Sequence, residues 1–223
     1  MSLITLTHTI HDDPFEELTR KLVETIDPIV NAEARDSYLR QRHEEYTTSR
    51  IAGIINSTLR HEPITAPGLI LDVHLEEFTR SQESVAGADL YISLVRRDLD
   101  EIVSKGIIVQ AKRRDSLLKS GEPERLGKQC KRMNRRSKKG AYVWVYDSHG
   151  ATSIKAPQAS APLLQKVSES SSIGELIARG LRCTAGDKKI GRSELTSPIH
   201  GVDTMMRRLS VRKGLAFDVK NDL

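Results

Sequence analysis

Cysteine is nearly absent: the chain of 223 residues contains two, Cys130 and Cys183. They lie far apart and neither belongs to a set with metal-ligand spacing, which excludes a disulfide framework and a zinc site and leaves both as packing residues. Aromatic residues are scarce at 4%, with a single Trp. No apolar run approaches the length of a membrane span. The first eight residues, Met1 to His8, lack the basic start and long apolar segment of a secretory signal. The expected setting is therefore cytoplasmic, with no membrane partner. His43, His61, His74, His149 and His200 sit in dissimilar contexts without an HxxxH-type pair and read as surface or boundary residues. No internal repeat is visible.

What is present is a globular composition, 38% hydrophobic and 29% charged, sized for one moderately large domain or one domain with a small appendage. The charge is unevenly placed. Between Lys112 and Lys139, twelve Lys or Arg face three acids, a local +9 against +5 for the whole chain, so the remainder carries −4. Such a cluster suits a polyphosphate backbone, although a solvated helix face is the ordinary fate of a basic run.

Apolar periodicity orders the chain. Phe15, Leu18, Leu22, Ile26 and Ile29 share one helix face, with Asp12 or Asp13 as N-cap, Pro14 at the first helical position and a break or kink near Pro28. A second helix is expected from about Ser37 to Arg60, its buried stripe formed by Ile51, Ile54, Ile55 and Leu59 and its end set by Pro63 and Pro67-Gly68. Leu69 to Glu76 alternates strictly and reads as a half-buried strand. After a polar segment, Thr79 to Gly87, come strand Ala88 to Val95, an excursion from Arg96 to Gly106, and strand Ile107 to Arg113. An amphipathic helix from about Glu124 to Lys139 follows, with Leu126, Cys130 and Met133 inward and Gly140 closing it. Ala141 to Tyr146 is an aromatic and β-branched strand, and Thr152 to Lys155 another. The Tyr142, Trp144 and Tyr146 face is better explained by core packing than by base stacking. Beyond a Pro, Ala and Ser connector (157–162) and a short turn from Leu163 to Val167, Ser172 caps a helix from Ile173 to Leu181. A helix from Thr204 to Leu209 and a strand from Leu215 to Val219 end the chain.

Chemistry concentrates between residues 87 and 112. Asp89 enters one apolar strand, and Gln110-Ala111-Lys112 leaves the next, which puts a carboxylate, an amide and an ammonium together at a sheet edge. Phosphodiester hydrolysis uses that set: oxygen ligands for a hard divalent cation and a positive group beside the attacking water. The alternative is an Asp in a strand-entry turn and a Lys that simply opens a basic loop. Asp72 and Glu83 are further nearby carboxylates that could add a ligand, with Asp72 on the polar face of its strand.

The Asp89 and Gln110-x-Lys112 arrangement resembles the PD-(D/E)XK nuclease superfamily, in its Gln-x-Lys form. The resemblance covers about residues 37 to 156 and implies an α/β fold: a restriction-endonuclease-like αβββαβ core with a mixed central sheet flanked by helices. Residues 1–36 would be an N-terminal helical segment, and 157–223 a largely helical C-terminal extension packing on the core or forming an interface. It further implies Mg²⁺ (or Mn²⁺) held by Asp89, the Gln110 side-chain oxygen, the Ala111 carbonyl and a helix-borne Glu, with Lys112 as the catalytic cation. Gln in place of the commoner Glu or Asp removes one negative charge and weakens metal affinity. Gln129 corresponds to a helical Gln that supports the site in several branches, and an amide hydrogen-bonded within an amphipathic boundary is the other reading. Arg113, Arg114, Arg125, Lys128, Lys131, Arg132, Arg135 and Arg136 would track a nucleic-acid backbone without reading bases. The implied activity is that of a metal-dependent nuclease, an endonuclease on DNA, in prokaryotic defence or DNA processing, as a homo-oligomer or part of a larger defence complex. A catalytically silent nucleic-acid-binding module, or a structural subunit, is the competing class.

The helix-borne acid is Glu44 or Glu45. At about 100° per residue from Ile51, the stripe centres near 20°, with Glu44 near 20° and Glu45 near 120°. Glu44 is the expected site residue, because an acid within an apolar stripe needs a compensating partner.

Overall fold

The computed structural model describes residues 13–77, 87–97, 101–156, 170–193 and 196–222. Glu83, most of the Thr79 to Gly87 segment and the readings between residues 157 and 169 lie outside the described residues. The fold is α/β: among the described residues, helices cover both faces of a mixed seven-stranded sheet.

Helix α1 (Pro14–Leu39) begins as the sequence requires. Asp13 accepts a hydrogen bond from the Phe15 N–H (3.0 Å), Pro14 fills the first helical position, and Glu16 and Glu17 face the positive end of the dipole. It does not break at Pro28. Ile26, Val30 and Ala34 continue the buried stripe across that residue, and their burial offsets the roughly 3 kcal/mol that an interior Pro costs. Helix α2 (Glu44–His61) is correspondingly shorter than expected. Residues 37 to 39 belong to α1, and the chain turns at Gln41, whose φ is 52°. Gln carries no signal for a left-handed position, which Gly or Asn normally marks.

Strand β1 (Ile64–Ala66) escapes a periodicity reading at three residues. It forms a hairpin with β2 (Leu69–Glu77) across Pro67-Gly68, with Gly68 at φ 73° as the third residue of such a turn demands. Strands β3 (Leu90–Arg97) and β4 (Ile102–Arg113) run antiparallel, and the helix α3 (Glu122–Arg136) crosses over to β5 (Ala141–Asp147), parallel to β4. Helix α3 stops three residues before Lys139, and Gly140 serves a different purpose there: a Cβ on it would lie 2.5 Å from the Gly106 carbonyl oxygen. Strand β6 (Gly150–Lys155) closes that edge. Helix α4 (Ile173–Leu181) is capped by Ser172 as read from the sequence, and α5 (Pro198–Leu209) starts six residues earlier than the reading from Thr204.

Along the chain α2, β2, β3, β4, α3 and β5 succeed one another as α, β, β, β, α, β, and the last strand changes their neighbours in the sheet. Strand β7 (Lys213–Asn221) does not lie outside the core: it runs between β2 and β3, antiparallel to the first and parallel to the second, giving the order β1-β2-β7-β3-β4-β5-β6. The expected neighbours β2 and β3 therefore never touch as a pair. Near-continuous burial along β7 fits a central position. Helices α1, α2 and α4 pack on one face of the sheet, and α3 and α5 on the other. Tyr142, Trp144 and Tyr146 are all buried in the first of these cores, as packing and not stacking requires. Cys130 is buried likewise, whereas Cys183 is exposed and so departs from the packing role expected of it.

Asp218 of β7 is fully buried and paired with the equally buried Arg192, which also donates to the Ser93 hydroxyl of β3 (3.0 Å). Removing one partner strands a charge in the core. Arg192→Ala should destabilise the protein by about 3–5 kcal/mol in urea denaturation, and a loss below 1 kcal/mol would show that β7 is held without this pair.

Candidate active site at one edge of the sheet

Strand polarity decides what meets what. The antiparallel β3–β4 register pairs Leu90 with Val109, and the Asp89 N–H donates to the Val109 carbonyl at 2.7 Å, so the start of β3 lies beside the end of β4. Alternation along β4 sends Gln110 and Lys112 towards the α3 face, while Ala111 faces α1 and α2. The parallel β4–β5 pairing brings Asp147 to the same edge, and the N-termini of α2 and α3 close over it. The result is a polar cavity of about 430 Å³ lined by Glu44, Glu45, Asp89, Gln110, Lys112, Glu122 and Gln129, among others.

Asp89, Gln110, Ala111, Lys112, Glu44 and Gln129 all line this cavity, with different partners. One Asp89 carboxylate oxygen accepts from the Ala111 N–H (2.8 Å) and the Gln110 amide nitrogen (2.5 Å), and that amide also donates to the Ala111 carbonyl (3.2 Å). Lys112, almost wholly buried, pairs with Glu122 at 3.1 Å. Glu44 accepts from the Ser116 hydroxyl (3.0 Å) and the Arg113 N–H (3.4 Å), whereas Glu45 is exposed and pairs with Arg212 (3.3 Å). The helical phase that favours Glu44 is thus reproduced in its burial, although both glutamates line the cavity. The Gln129 side-chain oxygen is buried and, among the described residues, has no hydrogen-bond partner.

Burial pushes the Asp89 carboxyl up to about 6 from an ordinary 3.8; the Glu45 and Glu44 charges add to the rise, and the Ala111 N–H and Lys112 hold it back. Glu122 moves the other way. Its burial alone would raise it, but the hydrogen bond and charge of Lys112, with Arg125, bring it below its usual range.

The donor set fits a hard divalent cation in one specific way. The Gln110 amide nitrogen stands, as a donor, between the Asp89 carboxylate and the Ala111 carbonyl. Turning the amide over would bring its oxygen to those two oxygens, an arrangement that only a cation between them stabilises. Among the described residues no group of three His, Cys, Asp or Glu is arranged to hold a metal, so the candidate ligands combine one carboxylate with an amide and a carbonyl.

Two parts of the site were beyond the sequence reading. Glu122 was counted only as an acid in a basic segment, yet it is the partner of Lys112. Arg212 and Lys213, at the start of β7, reach Glu45 from a hundred residues beyond the motif. The expected backbone-tracking residues divide. Arg125, Lys128, Lys131, Arg132, Arg135 and Arg136 are exposed on α3. Arg113 is not available in the same way: its guanidinium pairs with Asp115 (2.7 Å), donates to the Tyr38 and Arg42 carbonyls and lies over the Tyr38 ring, because the α1–α2 turn needs an anchor. Arg114 is half-buried and paired with Asp147 (3.1 Å). Asp72, expected to face solvent, is paired with Lys220.

Comparison of the chain with protein-family models, with curated proteins and with solved structures finds no match.

Because the folded state raises the Asp89 pKa, the carboxyl contributes stability below about pH 3.8 that is lost as pH rises through about 6. In chelator at pH 8, Asp89→Asn should therefore be more stable than the parent by about 1–2 kcal/mol. The gain should vanish near pH 4. Denaturation curves across that range check it, and a pH-independent difference would refute the assignment of a buried, uncompensated charge.

Proposed function

We propose that the protein is a divalent-metal-dependent nuclease that hydrolyses phosphodiester bonds, with DNA the favoured substrate. The observation that carries this reading is the meeting of Asp89, the Gln110 amide and the Ala111 carbonyl at one point, with the buried Lys112 ammonium on the same strand beside it. Strand β3 antiparallel to β4, and β4 parallel to β5 through the α3 crossover, support a restriction-endonuclease-like core; β7 between β2 and β3 departs from it.

In this reading Asp89, the Gln110 oxygen and the Ala111 carbonyl hold Mg²⁺ or Mn²⁺. The bound cation supplies Lewis-acid charge at the scissile phosphate. Glu44 accepts from the Ser116 hydroxyl, lines the same cavity and is the candidate for a further ligand. Lys112 has three N–H donors and uses one on Glu122, which leaves donors for an attacking water and for charge growing on phosphorus. Gln129 lines the same cavity. The exposed cations of α3 hold the substrate backbone at a site that Arg113 cannot serve.

A second reading, a nucleic-acid-binding module without catalysis or a structural subunit, is favoured by one observation. Lys112 is neutralised by Glu122, and the candidate ligands include a single carboxylate at the point of convergence. Cleavage of plasmid and single-stranded DNA in Mg²⁺ separates the two. Asp89→Ala and Lys112→Ala should each lower the rate by orders of magnitude while binding persists, and Glu44→Ala should cost more than Glu45→Ala. Near-parental rates in either of the first two variants would refute the catalytic assignment.

Binding itself has a separate signature. Replacing Lys131 and Arg135 by Ala should weaken all sequences alike and flatten the slope of log K against log salt by roughly one to two units. An unchanged slope places the binding surface off α3.

A further inference from the structure

A second cavity, of about 540 Å³, opens at the far edge of the sheet between β4, β5, β6 and α4. From Lys105 to Lys112 along β4 the two sites are about 23 Å apart, and they lie on opposite faces, since Lys105 and Tyr142 share the face covered by α4. Its lining includes Lys105, Lys139, Lys155 and Arg179 and, among the described residues, no Asp or Glu. The register fixes this gathering: Tyr142 of β5 pairs with Lys155 of β6, and α4 brings Arg179 above them.

The four cations are not equivalent. Lys105 is buried and donates to the carbonyls of Cys183 (2.6 Å) and Ala185 (3.3 Å), so it secures the loop after α4. Lys139 and Lys155 are exposed and Arg179 half-buried, and among the described residues none of the three side chains is in an ion pair, although the Lys139 backbone N–H donates to the Asp187 carboxylate. Ser153, which lines the same cavity, is 2% exposed and its hydroxyl has no hydrogen-bond partner. Like charges gathered around a concave site, with no acid in its described lining, favour an anion between them. The guanidinium supplies a planar fork, and the ammonium groups point charges, which is the donor chemistry of a phosphate site. The volume falls within the ~300–1,000 Å³ of small-ligand pockets.

We propose that this cavity binds a phosphate-bearing ligand of nucleotide size, with Arg179, Lys155 and Lys139 on the phosphates and the Ser153 hydroxyl as a further donor. The site is separate from the Asp89 cavity and does not depend on the nuclease reading.

Calorimetric titration of the full chain with inorganic pyrophosphate and with adenosine 5′-triphosphate tests it at low salt. One equivalent should bind, and Arg179→Gln with Lys155→Gln should weaken binding tenfold or more; Lys155→Gln alone, at an exposed side chain, should weaken it in the same direction with the fold unchanged. Equal affinity for the two probes identifies a free polyphosphate as the ligand chemistry, and a preference for the triphosphate identifies a nucleotide. Absence of binding by both probes at about 1 mM, binding unchanged in the double variant, or binding lost instead on replacing Lys131 and Arg135 by Ala would each overturn the proposal.

Discussion

The structure depends on burying Asp218 in the middle of the sheet. A fully buried carboxylate is tolerated only against an equally buried cation, and Arg192 is that cation, held in turn by the Ser93 hydroxyl. The pair therefore ties three distant segments together: β3, the stretch after α4 and the last strand. It adds to the burial of Leu215, Phe217 and Val219 in holding β7 in the slot between β2 and β3. Because β7 sets the spacing of its two neighbours, it also sets where the start of β3, and hence Asp89, stands relative to β2 and to Arg212 and Lys213.

At the candidate site the same economy of charge operates with less burial. Four acids, Glu44, Glu45, Asp89 and Glu122, meet one buried ammonium, and each has found a different donor: Ser116, Arg212, the Ala111 N–H and Lys112. Asp89 is the least compensated, and its raised pKa records that. The Gln110 amide occupies the position where positive charge is wanted, as a neutral donor between two oxygens.

Basic residues follow two fates in one short segment. Arg113 and Arg114 are drawn inward, the first to anchor the turn between α1 and α2 and the second to Asp147. Those on α3 stay in solvent because the helix buries only its Leu126, Cys130 and Met133 stripe. A run of like charge is thus partly architecture and partly surface, and the division is set by which side of the sheet edge each side chain leaves.

The sequence by itself determined the periodic elements: the stripe of α1, the alternation of β2, the apolar strands carrying Asp89 and Gln110-x-Lys112, the amphipathic α3, and α4 with its Ser172 cap. Each is a local pattern of burial or capping that needs no knowledge of the rest of the chain. It also placed Glu44 on the inner phase of α2, since helical geometry is fixed per residue. Only the tertiary structure decided what distance in sequence conceals. Alternation reveals that a strand is half-buried but not who its neighbours are, so β7 between β2 and β3 was invisible. The partners of Lys112, Glu45 and Asp218 were hidden for the same reason. Pro28 and Gln41 mislead locally because burial of Val30 and Ala34, and the anchoring of the turn by Arg113, outweigh the intrinsic preferences of those two residues.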